Sequence, residues 1–272
     1  MKQRIITAII LGIVAIPICI FSGTIVFPIA MALIGGVGVY ELLGCMGTRS
    51  KKYLTIPLCI MAIVVPFLVR YANGNVDNPA KILMLSLLCF ALYLLGAWVF
   101  SYQKNQSVDM NLMITSATIA LYIIGATACI VMLRDMPYGE YYWYFIFIGA
   151  WVTDTFAYFS GMLFGKHKLI SAVSPKKTIE GSIGGTLFCV VFFVVYGLIM
   201  NGVTNSGISL VLIAAAGLCS AIISQIGDLA MSVIKRTYGI KDYGKIFPGH
   251  GGVLDRFDSI LAVAIVLVIF FA

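Results

Sequence analysis

Only 11% of the 272 residues are charged, 61% are hydrophobic, and the mean hydropathy is +1.03. A soluble globular chain carries roughly 25% charged residues, so these values exclude an ordinary soluble domain and define a polytopic integral membrane protein. The net charge of +7 falls beside apolar runs, with no basic face interleaved with stacking aromatics. It is therefore read as bias toward an anionic cytoplasmic leaflet, and no nucleic acid partner is expected.

A membrane span needs about 20 mostly apolar residues. Nine segments roughly meet this: Ile5–Phe27, Ile29–Met46, Tyr53–Val69, Ile82–Phe100, Leu112–Leu133, Tyr141–Phe164, Ile183–Met200, Ile208–Ile234 and Leu254–Phe271. The expected fold is all-α, with about nine transmembrane helices in one membrane-embedded unit. Residues 1–110 supply about four spans, and residues 111–272 supply the spans that carry the polar motifs. The first two spans are separated only by a turn expected near Pro28. The basic, then apolar N-terminus is longer than a signal h-region and lacks a small-residue cleavage site, so it reads as a retained first helix. All seven cysteines lie in apolar runs without a CxxC pair, which favours buried small hydrophobes over disulfides or zinc.

With a cytoplasmic N-terminus and nine crossings, Arg70, Lys81 and Arg134 are the only ones of the 18 Lys and Arg residues on the far side. This asymmetry orients the chain. Pro17 and Pro66 predict kinks, and Gly35–Gly38 predicts close helix packing. Glu41 reads as a charge near the inner end of a short helix, with a polar cavity as the alternative. Asp154 lies ten positions before the exit of its span, well inside the membrane at about 1.5 Å rise per residue. An intramembrane carboxylate is a functional candidate by default.

Two polar clusters follow. In the first, Ser174-Pro175 predicts a helix N-cap with proline at the first helical position. Lys176, Lys177 and Thr178 then fall in the first turn, where cations oppose the helix dipole unless an anion binds among them. His167 reads as a solvated surface residue, and Glu180 as either a lysine partner or a metal ligand. In the second cluster, Ser224, Asp228, Ser232 and Lys235 share one helical face. Lys235 and Arg236 mark the cytoplasmic end, a glycine-rich loop follows, and Asp255 and Asp258 open the last helix. Asp228, Asp255 and Asp258 converging at a cytoplasmic mouth suit Mg2+, which takes one or two carboxylates and completes its shell with substrate phosphates. Two metals would suit phosphoryl or nucleotidyl transfer, with neighbouring Lys and Arg binding phosphate oxygens. No Walker A, HExxH, GxSxG or dinucleotide fingerprint is present.

The run Ser232-Val-Ile-Lys235-Arg236, then Lys241-Asp242, then Pro248-Gly249-His250-Gly251-Gly252-Val-Leu-Asp255-Arg256-Phe-Asp258 resembles the phosphatidate cytidylyltransferase (CDP-diglyceride synthase) family. The Asp154 segment and Ser174-Pro175-Lys176-Lys177-Thr178 are similar to further motifs of that family. The resemblance implies transfer of the cytidylyl group from CTP to phosphatidic acid, giving CDP-diacylglycerol and pyrophosphate. It also implies Mg2+, a second cation (K+ or Mg2+) near Asp228 and Asp255, and a homodimer in the cell membrane. On this reading Asp228, Asp255, Lys176, Lys235 and Arg236 are catalytic, and Asp228, Asp255 and Asp258 hold metal. Ser174, Lys177, Thr178, Ser232, Lys241, His250, Gly251, Gly252, Arg256 and Asp154 contact substrate. The competing readings are a secondary transporter of an anionic solute and a related lipid kinase or nucleotidyltransferase.

Overall fold

A computed structural model describes residues 12–75, 90, 92–97, 99, 110–171 and 173–272. Its long helices are α1 (Val26–Cys45), α2 (Lys52–Asn75), α3 (Met110–Asp135), α4 (Gly139–Phe164), α5 (Ile179–Thr204), α6 (Leu210–Thr237) and α7 (Leu254–Phe271). A two-stranded antiparallel hairpin, β1 (Lys168–Ile170) and β2 (Ser174–Thr178), links α4 to α5. Among the described residues, six helices, α1 to α6, are long and apolar enough to cross a membrane. The chain is thus an all-α multi-pass membrane protein. The predicted span Ile5–Phe27 is described from residue 12 onward, and the predicted span Ile82–Phe100 lies largely outside the described residues.

Two expectations change. The break between the first two spans is a turn at residues 21–25, and Pro28 sits inside the first turn of α1. A proline is tolerated there because its missing N–H would have no intrahelical partner. Ser174-Pro175 does not open a helix. Pairing of Lys168 with Thr178 and of Ile170 with Ser174 holds Ser174–Thr178 extended. Thr178 is the actual N-cap of α5, at φ −123° and ψ 155°, and its hydroxyl accepts the Gly181 N–H at 3.1 Å. Lys176 and Lys177 therefore stand on a strand ahead of the helix, and their conflict with its dipole does not arise.

The helix α7 is the hub. It packs on α6 along one side and on α3 and α1 along the other. Leu261, Val263, Ala264 and Leu267 are buried along it, and its first turn carries Asp255 and Asp258, also buried. The glycines of α1 behave as expected. A Cβ at Gly35 would press on the Thr127 side chain of α3 and the Ala62 carbonyl of α2 at 3.2–3.3 Å, so three helices meet there. At the end of the bundle opposite the charged loops, Arg70 pairs with Asp135 at 3.5 Å and donates to the Ser22 carbonyl, while Arg134 donates to the Ser22 hydroxyl at 2.9 Å. Two of the three cations expected on the far side are thereby tied to the turn at residues 21–25.

The helices α4 and α5 approach backbone to backbone. A Cβ at Gly185 would lie 2.6 Å from the Thr153 carbonyl and 2.9 Å from Ala157 Cβ; one at Gly181 would lie 2.6 Å from the Ala157 carbonyl. Small residues four apart on both helices make this possible, the usual device for close packing where lipid supplies no hydrophobic driving force. A π-helical turn, Ile148–Val152, precedes Asp154 in α4, and such bulges frequently mark functional sites. Gly185→Val should force these helices apart at a cost of about 1–3 kcal/mol. The thermal midpoint in detergent should fall, whereas Leu187→Ala, on the exposed face of α5, should leave it nearly unchanged.

Candidate active site

Between α4, β2, α5 and α6 lies a cavity of about 390 Å³. Asp154 and Asp228 line it together with Ser174, Lys176, Lys177 and Thr178, and Tyr158, Met162 and Leu169 add apolar surface. Lys177 Nζ donates to Asp228 Oδ2 across the cavity, while the other oxygen of Asp228 has only a long 3.5 Å contact with the Ser232 hydroxyl. Gln225 completes the inner wall and is held by its donation to Thr186 Oγ1 at 3.1 Å. The hairpin is fixed from outside by Glu180, which accepts the N–H groups of Lys166 and His167 at 3.1–3.2 Å and meets His167 Nδ1 at 2.6 Å. Glu180 thus pairs with the exposed histidine and the backbone, and no lysine side chain is among its partners.

Beside this cavity is a second, buried assembly. Lys235 Nζ donates to Asp255 Oδ1 at 2.8 Å, with side chains 11% and 3% exposed. Asp255 Oδ2 accepts the N–H of Tyr243 at 2.7 Å and of Gly252 at 2.9 Å. Lys235 also lies 5.3 Å from the Tyr243 ring centroid, a cation–π distance. Burial pushes the Tyr243 phenol well above its ordinary pKa, so it stays a neutral donor to the Met231 carbonyl at 2.9 Å. Gly251, at φ +83°, lets the backbone pass Asp255, where a Cβ would lie 2.8 Å from the carboxylate. A side chain there would meet both the left-handed backbone and that oxygen.

The second cluster of the sequence is thus divided. Asp228 lines the cavity with Ser232 beside it, whereas Lys235 turns to Asp255, and neither Ser232 nor Lys235 is among the residues lining the cavity. Arg236, Lys241 and Arg256 are exposed, and Arg236, in the last turn of α6, donates to the Ile240 carbonyl in the loop that follows. His250 is held through its backbone N–H to the Phe247 carbonyl at 2.9 Å, with its Nδ1 buried and unpartnered. Two participants were not singled out from sequence, Gln225 and Tyr243. Neither carries charge, and nothing in the local pattern separates them from other polar or aromatic positions.

Asp154, Asp228 and Asp258 come from three helices and are near enough to repel one another, with Lys177 and Lys235 offsetting the repulsion. Such a set favours a cation. Among the described residues, however, no three His, Cys, Asp or Glu side chains are placed to hold a metal by themselves. Mg2+ needs fewer protein ligands, one or two carboxylates with other oxygens from phosphates and water. Asp228, with an oxygen barely engaged, and neighbouring Asp258 fit this role. Both oxygens of Asp255 are already committed.

The bundle and its cavity define a multi-pass membrane protein in which lysines and carboxylates border apolar surface. A family model described as the cytidylyltransferase family matches residues 2–272. The phosphatidate cytidylyltransferase of Staphylococcus saprophyticus is 36% identical over 265 residues, covering 97% of this chain and 96% of the relative. That of Bacillus subtilis (strain 168) is 33% identical over 267 residues, covering 97% and 94%. The chain belongs to the cytidylyltransferase family, and it is a nucleotidyltransferase.

Breaking a buried ion pair from one side costs about 3–5 kcal/mol because a charge is left uncompensated. Asp255→Asn should therefore lower the thermal midpoint markedly as well as the turnover. Lys241→Ala, at an exposed loop position, should not move the midpoint.

Proposed function

We propose that this protein transfers the cytidylyl group of CTP to phosphatidic acid, releasing pyrophosphate and forming CDP-diacylglycerol. The cavity carries this reading. It joins two lysines and two carboxylates to apolar side chains, the pairing that a charged headgroup on a lipid requires. The curated relatives named above support the choice of substrates.

Lys177 is the residue best placed to receive a phosphate. It is held at the cavity by Asp228, and an arriving anion gives it a second partner of the same sign. Lys176 and Ser174 stand on the same strand and add donors. Mg2+, when bound, would neutralise the triphosphate and template the departing pyrophosphate. Asp228 and Asp258 would hold it, and a second cation would relieve the remaining repulsion toward Asp154. The phosphatidate monoester oxygen attacks the α-phosphorus in line, and the bond from that phosphorus to the β-phosphate oxygen breaks. A phosphate monoester is largely ionised near neutral pH, so no strong general base is needed. The buried Lys235–Asp255 pair sits behind these groups and shapes their electrostatics. Partition of nearly all Lys and Arg to one side of the chain supports a site on the cytoplasmic face of the cell membrane. On the same reading the enzyme works as a homodimer.

The test uses purified protein in detergent with labelled CTP, Mg2+ and phosphatidate. Labelled CDP-lipid with one pyrophosphate per turnover is the expected result, and Lys177→Ala should lower turnover by about 10²–10³-fold. Label that crosses the wall of protein-containing liposomes without lipid product would instead indicate transport.

A further inference from the structure

Glu41 belongs to α1, far in sequence from every motif above, yet it is only 3% exposed. Its carboxylate accepts the N–H of Val253 at 3.1 Å and of Leu254 at 2.9 Å, the residues that open α7. Among the described residues it forms no ion pair. A buried carboxylate without a paired cation is costly unless its lone pairs are met by donors, so the two N–H groups are what keep it there.

The loop is shaped to this carboxylate. A Cβ at Gly244 or at Gly252 would run into the Glu41 carboxyl group, so the backbone closes on it from both ends of the 244–252 loop. Asp255 clasps the adjoining N–H groups of Tyr243 and Gly252. Two carboxylates thus divide the free N–H groups at the start of α7: Glu41 takes Val253 and Leu254, and Asp255 takes Gly252. The first turn that they fix presents Asp255 to Lys235 and Asp258 to Asp228.

We propose that Glu41 is a positioning residue for nucleotidyl transfer, a cap supplied by the N-terminal helices that sets the first turn of α7 and hence the placement of Asp255 and Asp258. Its catalytic consequence rests on the function proposed above. The loss of such a cap displaces groups that act on the reacting phosphates without removing any group that binds the nucleotide. The effect should therefore fall on kcat more than on KM.

Two variants approach the cap from its two sides. Glu41→Gln keeps the shape but turns an amide donor toward a backbone donor. Val253→Pro removes one of the two N–H groups at a position whose φ of −64° already suits proline. The expected results are a fall in kcat of roughly 10- to 100-fold for Glu41→Gln, with KM for CTP within about threefold of wild type. The fall for Val253→Pro should be smaller, and the double variant should be no worse than Glu41→Gln, because both changes remove one interaction. Amide hydrogen exchange of the full-length protein in detergent, without substrate, should quicken over residues 252–259 and stay unchanged in α3 and α5.

Wild-type kcat in both variants, a loss carried by KM, additive effects in the double variant, or exchange that quickens uniformly would each overturn the proposal. If Glu41→Gln yields no folded protein, Val253→Pro decides alone by the same readouts. If the wild type forms no CDP-lipid, the proposed function falls. The exchange experiment would still decide whether Glu41 orders this turn.

Discussion

The buried pairing of Lys235 with Asp255 is the interaction on which the polar half of the molecule depends. A lysine at the end of α6 and a carboxylate at the start of α7 are withdrawn from solvent together, and two backbone N–H groups complete the carboxylate's shell. Such a pair is weak evidence of stability but strong evidence of arrangement, because either charge alone would be expensive in the same place. It ties the two helices at the one level where their other polar groups must meet. The glycine-rich loop can be long and irregular because both of its ends are anchored by carboxylates.

A second constraint places the cavity. The helices α4 and α5 touch through Gly161, Gly181 and Gly185, with almost no side chain between them. This brings the hairpin against the mouth between them, and its strand β2 directs Lys177 toward Asp228. The two lysines of β2 serve the cavity as side chains of an extended strand, so their reach is not limited by the geometry of a helix terminus. Glu180, half-buried and accepting the backbone N–H groups of Lys166 and His167, pins the hairpin from the other side. Backbone contact, strand and latch together make a cavity with charged groups at one part of its wall and Tyr158, Met162 and Leu169 at another.

These two arrangements have different chemical characters. The Lys177–Asp228 pair borders open volume, where an incoming ligand can reach it. The Lys235–Asp255 pair is almost fully buried and serves as a fixed reference for its neighbours. Nucleotidyl transfer asks for both, since groups that bind moving phosphates must be held by groups that do not move.

Much was legible in the sequence, for physical reasons that can be named. Apolar runs of membrane length must be helices because lipid offers backbone groups no partner, and charges set among such runs must be paired or used. Hydropathy therefore disclosed the class of protein, the placement of Asp154, Asp228, Asp255 and Asp258 marked a candidate site, and the spaced C-terminal motif disclosed the family. Only the tertiary structure decided how those charges are shared out. Helical periodicity put Lys235 on the face of Asp228, but the last helix docks so that Asp255 takes it. Ser174-Pro175 carries a helix-start signature, but pairing with β1 keeps it extended and passes the cap to Thr178. Glu41 looked like a charge near the membrane boundary because its partners are backbone N–H groups more than two hundred residues away, and a backbone group leaves no trace in the identity of the residue that bears it.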